Sequence, residues 1–154
     1  MVTSLLMAVH LIGVVMWIGG VVFVTLIIFP MITRMEHSFE KVLFFQGVEH
    51  RFAKIAKACV FFVGLTGMLL LQKTGEWNDL FTLKGIGPTI MLLVWSFYFL
   101  VLLFEGKMFK VIFSGEAQHD TTKIFERLSQ FHYVVMGVSL IAVAVGTGAA
   151  HYAR

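Results

Sequence analysis

The stretch LLMAVHLIGVVMWIGGVVFVTLIIF, residues 5–29, holds no charged residue and one histidine, His10. About twenty residues at 1.5 Å rise cross a hydrocarbon core of about 30 Å, so the stretch reads as a membrane-spanning helix with some tilt. At 100° per residue His10 shares a face with Gly13, Val14, Trp17, Val21, Val24 and Ile28. An ionisable side chain inside such a helix is costly to bury and points toward the bundle interior, which makes it a functional candidate by default.

Three further apolar runs follow, at about 52–71, 88–105 and 131–150. Of the 154 residues, 58% are hydrophobic and only 14% charged, far from the composition of soluble domains. The expected architecture is therefore all-α: one domain over residues 1–154, an integral membrane four-helix bundle. Residues 31–47 mix Ile32, Met35, Phe39, Val42, Leu43 and Phe44 with Arg34, Glu36, His37, Glu40 and Lys41. Several apolar positions lie three or four apart, so this segment predicts an amphipathic helix on the membrane surface. Pro30 and Met31 mark the exit of the first span. Residues 73–87 are a short polar connection, with Pro88 where a helix would start.

The amino terminus lacks the basic n-region, short apolar core and cleavage site of a secretory signal, so span one reads as retained. The net charge of +3 is modest and no basic run has the length of a nucleic-acid patch. Nucleic acid is not an expected partner; the lipid bilayer is. Cys59, the single cysteine, sits in span two and reads as a small buried apolar residue. The connections after spans one and three, with adjacent helix starts, carry Arg34, Lys41, Arg51, Lys54, Lys57, Lys107, Lys110, Lys123 and Arg127; the other side carries Lys73, Lys84 and Arg154. The positive-inside rule then places both termini on the outer side and the two longer loops in the cytoplasm; the expected location is a bacterial inner membrane, which makes the outer side periplasmic.

Topology sorts the six histidines. His10 lies roughly 7 Å inside the outer edge, and His151 ends span four on the same side. His50 and His132 open spans two and four at the opposite edge, about 20 Å from His10 in depth. His37 and His119 fall in connections and read as solvated. Gly13 and Gly20 leave room beside the His10 face, either for close helix packing or for a flat cofactor such as haem, whose iron takes an imidazole as axial ligand. The outer ligand set would be His10 with His151, with Met68, Met91 or Lys73 as alternatives, or a five-coordinate iron on His10. A second set would be His50 with His132, where Arg51, Lys54 and Lys57 could pair with haem propionates. On span three, Glu105, Trp95 and Tyr98 could line a quinone site.

On the segments H10-L-I-G-V-V-M-W-I-G-G20 and R51-F-A-K-I-A-K…G64-L-T-G-M68, the chain resembles CopD-like four-helix membrane proteins and their wider relatives, the HemJ-type protoporphyrinogen oxidases. The resemblance implies a haem b protein, or a membrane component of copper handling, with His10 the residue that carries over best. HemJ-type proteins also have a histidine in span three and an Arg-x-x-Asn-Glu segment opening span four. Here span three has no histidine, and Arg127-Leu-Ser-Gln-Phe-His132 lacks the Asn-Glu pair. The functional expectation is a membrane cytochrome with one or two haem b groups, passing electrons to or from quinol and another redox protein, as a homo-oligomer or as a subunit of a larger complex. The alternatives are copper transport or resistance through His10, Met68 and Met91, an oxidase of the HemJ type, and a structural subunit of a redox complex.

Overall fold

A computed structural model describes residues 1–114 and 121–152, the side chains at 38, 105–106, 108–114 and 149–152 excepted. The described residues are helical with short connections, and no strand occurs among them. Helix α1 (Val2–Phe23) runs through a π-helical turn, Val24–Ile28, into α2 (Phe29–Thr33); α3 is Ser38–Thr74, α4 Ile86–Ser114 and α5 Thr121–Tyr152. Four segments are long and apolar enough to cross a membrane: Val2–Thr33, Phe39–Thr74, Ile86–Phe104 and Thr121–Gly148.

Two boundaries differ from the sequence expectation. Pro30 does not end the first helix but sits in the first turn of α2. Proline cannot donate to a carbonyl and its ring crowds the carbonyl four residues back. The chain widens by one residue per turn just before it, and the Phe29 N–H bonds Val24 O, five residues away. The amphipathic segment at 31–47 is likewise no separate surface helix. The chain breaks only around residues 34–37, and Ser38 starts a helix of 37 residues that continues through the second apolar run. At 1.5 Å per residue that helix is about 55 Å long. It ends at Gly75, whose φ of 75° suits a residue without Cβ.

The helices pair unevenly. Helix α1 packs extensively on α3, and α4 on α5, whereas α3 meets α4 and α1 meets α5 over less surface. One core cluster joins Trp17, Ile18, Val21, Cys59, Val60, Val63, Tyr98 and Val135 at mid-bundle. Another gathers Val24, Ile28, Phe29, Ile32, Phe45 and Phe125 where α2 meets the starts of α3 and α5. Of residues 39–45, Phe45 is buried in this second cluster with Val42 and Phe44 packed against it, whereas Phe39 and Leu43 are exposed.

Missing side chains set the close approaches. A Cβ on Gly13 would fall 2.7 Å from Val63, and one on Gly20 would run into the Phe52 ring. The room beside His10 that these two glycines suggest is therefore taken by α3 side chains. Gly64 receives the Trp95 indole, whose Nε1–H donates to Val60 O at 2.8 Å. Gly146 receives Met91.

Candidate functional site

His10 lies half-buried between α1 and α3. Its Nδ1 is 3.1 Å from the Val63 carbonyl and 3.0 Å from Thr66 Oγ1. The carbonyl can only accept. The Thr66 hydroxyl already donates to Phe62 O at 2.6 Å, so toward His10 it too accepts. Both contacts therefore require the proton on Nδ1, and in the neutral ring Nε2 keeps a lone pair. That is how a metal-binding imidazole is held: the second nitrogen tied to a carbonyl, tautomer and orientation settled. The ring rests on Gly67, where a Cβ would come within 3.2 Å of Cε1.

His132 is oriented by the same device within its own helix. Its Nδ1–H donates to Leu128 O at 2.9 Å, four residues back. The ring packs on Phe29, centroids 4.7 Å apart, and on Phe131 at 5.8 Å. In the neutral ring Nε2 again keeps its lone pair, and no described residue bonds that nitrogen in either histidine. Phe29 lies 19 residues beyond His10 along the first helical rod. That is about 28 Å at the helical rise, so the two imidazoles cannot share one ion.

His132 also lines a cavity of about 130 Å³ between all four helices. Its wall takes Trp17 and Val21 from α1, Glu49, Phe52 and Ala56 from α3, Phe97 and Tyr98 from α4, and Phe131 and Val135 from α5. The Tyr98 hydroxyl is engaged elsewhere: it donates to Ser139 Oγ at 2.8 Å, because Ser139 spends its own proton on Val135 O. Trp17 meets Tyr98 edge-on at 4.6 Å.

The other expected site residues are dispersed. His50, Arg51, Lys54 and Lys57 are all exposed on α3. None of them lines the cavity; the neighbouring Glu49 does. One residue is 100° of helix, which turns His50 away from the wall that carries Glu49, and the structure does not bring His50 and His132 together there. The side chains of His151 and Glu105, and all of His119, lie outside the described residues. Met68 and Lys73 are exposed on α3, and Met91 is lodged against Gly146. Among the described residues no group of three His, Cys, Asp or Glu side chains could hold a metal ion.

Thr66 and Glu49 are the residues that sequence reading passed over. A threonine between Gly64 and Gly67 in an otherwise apolar run was the available signal for the first. Glu49 is masked by its charged neighbours. No family model, no curated protein and no solved structure matches this chain.

Proposed function

We propose that the chain is a multi-pass protein of a bacterial cytoplasmic membrane, both termini outside, that carries electrons on a b-type haem ligated by His10. The observation that supports this reading most is the tethered Nδ1 of His10, which leaves Nε2 as the ligating atom of a fixed tautomer. The membrane half of the reading draws on the four long apolar helices and on Trp77, Phe81 and Leu83, exposed in the connection before α4. Aromatic and apolar side chains at such a place anchor the interface.

The donor chemistry suits haem at both histidines, but the space differs from the two-haem expectation. The cavity at His132 is about 130 Å³, below the roughly 300 Å³ at which pockets for drug-sized ligands begin, and a porphyrin is larger than a single ring. The haem reading is therefore placed on His10 alone, on the strength of its held imidazole and not of open space, since the Gly13 and Gly20 face packs on Val63 and Phe52. Bound there, the iron would supply one-electron chemistry. The protein's part is to hold the imidazole through Val63 and Thr66, to seat its ring on Gly67, and to exclude water with the apolar surface of α1 and α3.

The test is the visible spectrum of protein purified from haem-replete cells, oxidised and dithionite-reduced, with a pyridine haemochrome count. One haem per chain, absent in His10→Ala and retained in His132→Ala, is the expected result. A featureless spectrum would overturn the reading and favour copper, to be sought by copper(I) titration of the same sample.

A further inference from the structure

The cavity at His132 has a size, a polarity and an access side that together describe a ligand. We propose that it binds the ring of a lipid-borne quinol, a single hydroxylated aromatic ring on an apolar tail, with one ring hydroxyl donating to His132 Nε2. This assignment stands on the cavity alone and does not depend on a haem at His10.

Size comes first. A dry cavity of about 150 Å³ with apolar walls takes up benzene, so about 130 Å³ here holds one six-membered ring. The wall is built for a flat apolar body: Trp17, Phe52, Phe97, Tyr98 and Phe131 line it, with Ala53 and Ala56 supplying room on the α3 side. Aromatic faces and edges at such distances favour a ring over an aliphatic chain of equal volume.

Polarity decides the oxidation state. The Nδ1 proton of His132 is committed to Leu128 O, so the neutral imidazole offers an acceptor and no second donor. Glu49 also stands in the wall and is engaged in an interaction of its own. The Tyr98 hydroxyl, which could have donated, points its proton at Ser139. Trp17 brings an indole N–H to the wall, a donor that either a hydroxyl or a carbonyl oxygen can take, so the discrimination rests on His132 Nε2, an acceptor that a quinol O–H satisfies and the oxidised quinone does not.

Access decides the source. Phe97 of α4 and Phe131 of α5 line the cavity and are also 44% and 41% exposed. That surface is apolar in both helices: Leu93, Leu100, Phe104, Val134, Val138 and Ile141 are exposed as well. A ligand that reaches the cavity past this apolar surface comes from the lipid phase. The charged residues nearest in α5, Glu126 and Arg127, lie just over a turn before His132, which puts the cavity near the membrane–water boundary, the depth an amphipathic ring with an apolar tail occupies.

The experiment is anaerobic calorimetric titration of the purified full chain in detergent with decylhydroquinone, its dimethyl ether, the oxidised decylquinone and untailed hydroquinone. Saturable binding of decylhydroquinone with about one site per chain is expected. The dimethyl ether and the oxidised form should each bind about tenfold weaker, the worth of one hydrogen bond. His132→Phe keeps the ring volume against Phe29 and should cost the same factor. Ala56→Leu, which fills the cavity from α3, should abolish binding, with circular dichroism checking that both variants fold. Equal binding of all the tailed compounds, or unchanged binding in Ala56→Leu, would show partition into the micelle and overturn the site. Hydroquinone binding as tightly as its tailed form would overturn the lipid source.

Discussion

His10 Nδ1 and Thr66 Oγ1 meet at 3.0 Å across the α1–α3 interface, with the Val63 carbonyl 3.1 Å from the same nitrogen. Thr66 is one of two acceptors for a single N–H, and the consequence is graded. Thr66→Val leaves Val63 O in place and should cost about 1 kcal/mol, whereas Thr66→Ser should cost less than half of that. Thermal unfolding in detergent measures both. A loss above about 3 kcal/mol for Thr66→Val would mean that Val63 O does not hold the ring by itself.

The seat under that ring predicts a size threshold. At Gly67 a Cβ comes within 3.2 Å of His10 Cε1, so Gly67→Ala asks the ring to move by a few tenths of an ångström. Against that stands up to about 1 kcal/mol of helix propensity gained, and the net change should be small. Gly67→Leu has no such compensation and should displace the imidazole, destabilising by about 1–3 kcal/mol. If haem is bound, the same variant should lose its reduced α-band.

Tyr98 and Ser139 should respond unequally to removal of their shared bond. Tyr98→Phe leaves Ser139 still donating to Val135 O, so no buried proton is stranded and the cost should be about 1 kcal/mol. Ser139→Ala leaves the Tyr98 hydroxyl without its acceptor in a buried position, at about 1–3 kcal/mol. Chemical unfolding of the two variants side by side tests the order. The reverse order would mean that Tyr98, not Ser139, is the acceptor.

Glycine-to-alanine substitutions should split by what each glycine faces. Gly64 and Gly146 receive Trp95 and Met91, while Gly19 and Gly137 have nothing within 4 Å of a Cβ. Gly19→Ala and Gly137→Ala should stabilise by about 0.5–1 kcal/mol through helix propensity. Gly64→Ala meets a rigid indole held by its bond to Val60 O and should destabilise by about 1–3 kcal/mol. Gly146→Ala should fall between them, because Met91 is flexible. A shared set of melting temperatures decides it.

The four long helices are legible without a structure because each is an apolar run of about twenty residues, well beyond the roughly three to ten residues usual for a strand and matching the length a helix needs to cross a bilayer. The face of His10 is legible too: Gly13, Trp17, Val21, Val24 and Ile28 are buried as the 100° rule places them. Periodicity reports which residues turn inward. It does not report what meets them, so it leaves open whether Gly13 and Gly20 admit a cofactor or a neighbouring helix, and the structure packs Val63 and Phe52 there.

The pairing of histidines lay beyond the sequence for a related reason. Depth along a helix follows from counting residues, and counting separates His10 from His132 correctly. Azimuth on α3 does not follow, because the run around His50 is charged on several sides and gives no clean apolar stripe. Only the packing of all four helices sets Glu49 in the cavity wall and leaves His50, Arg51, Lys54 and Lys57 outside it. The amino-acid order by itself thus determined the all-helical class, the four long apolar segments and the inward face of the first. The tertiary structure decided the tautomers of His10 and His132, through the carbonyls of Val63 and Leu128, and the volume beside His132. Both depend on atoms brought together from separate turns or separate helices, which local propensity does not encode.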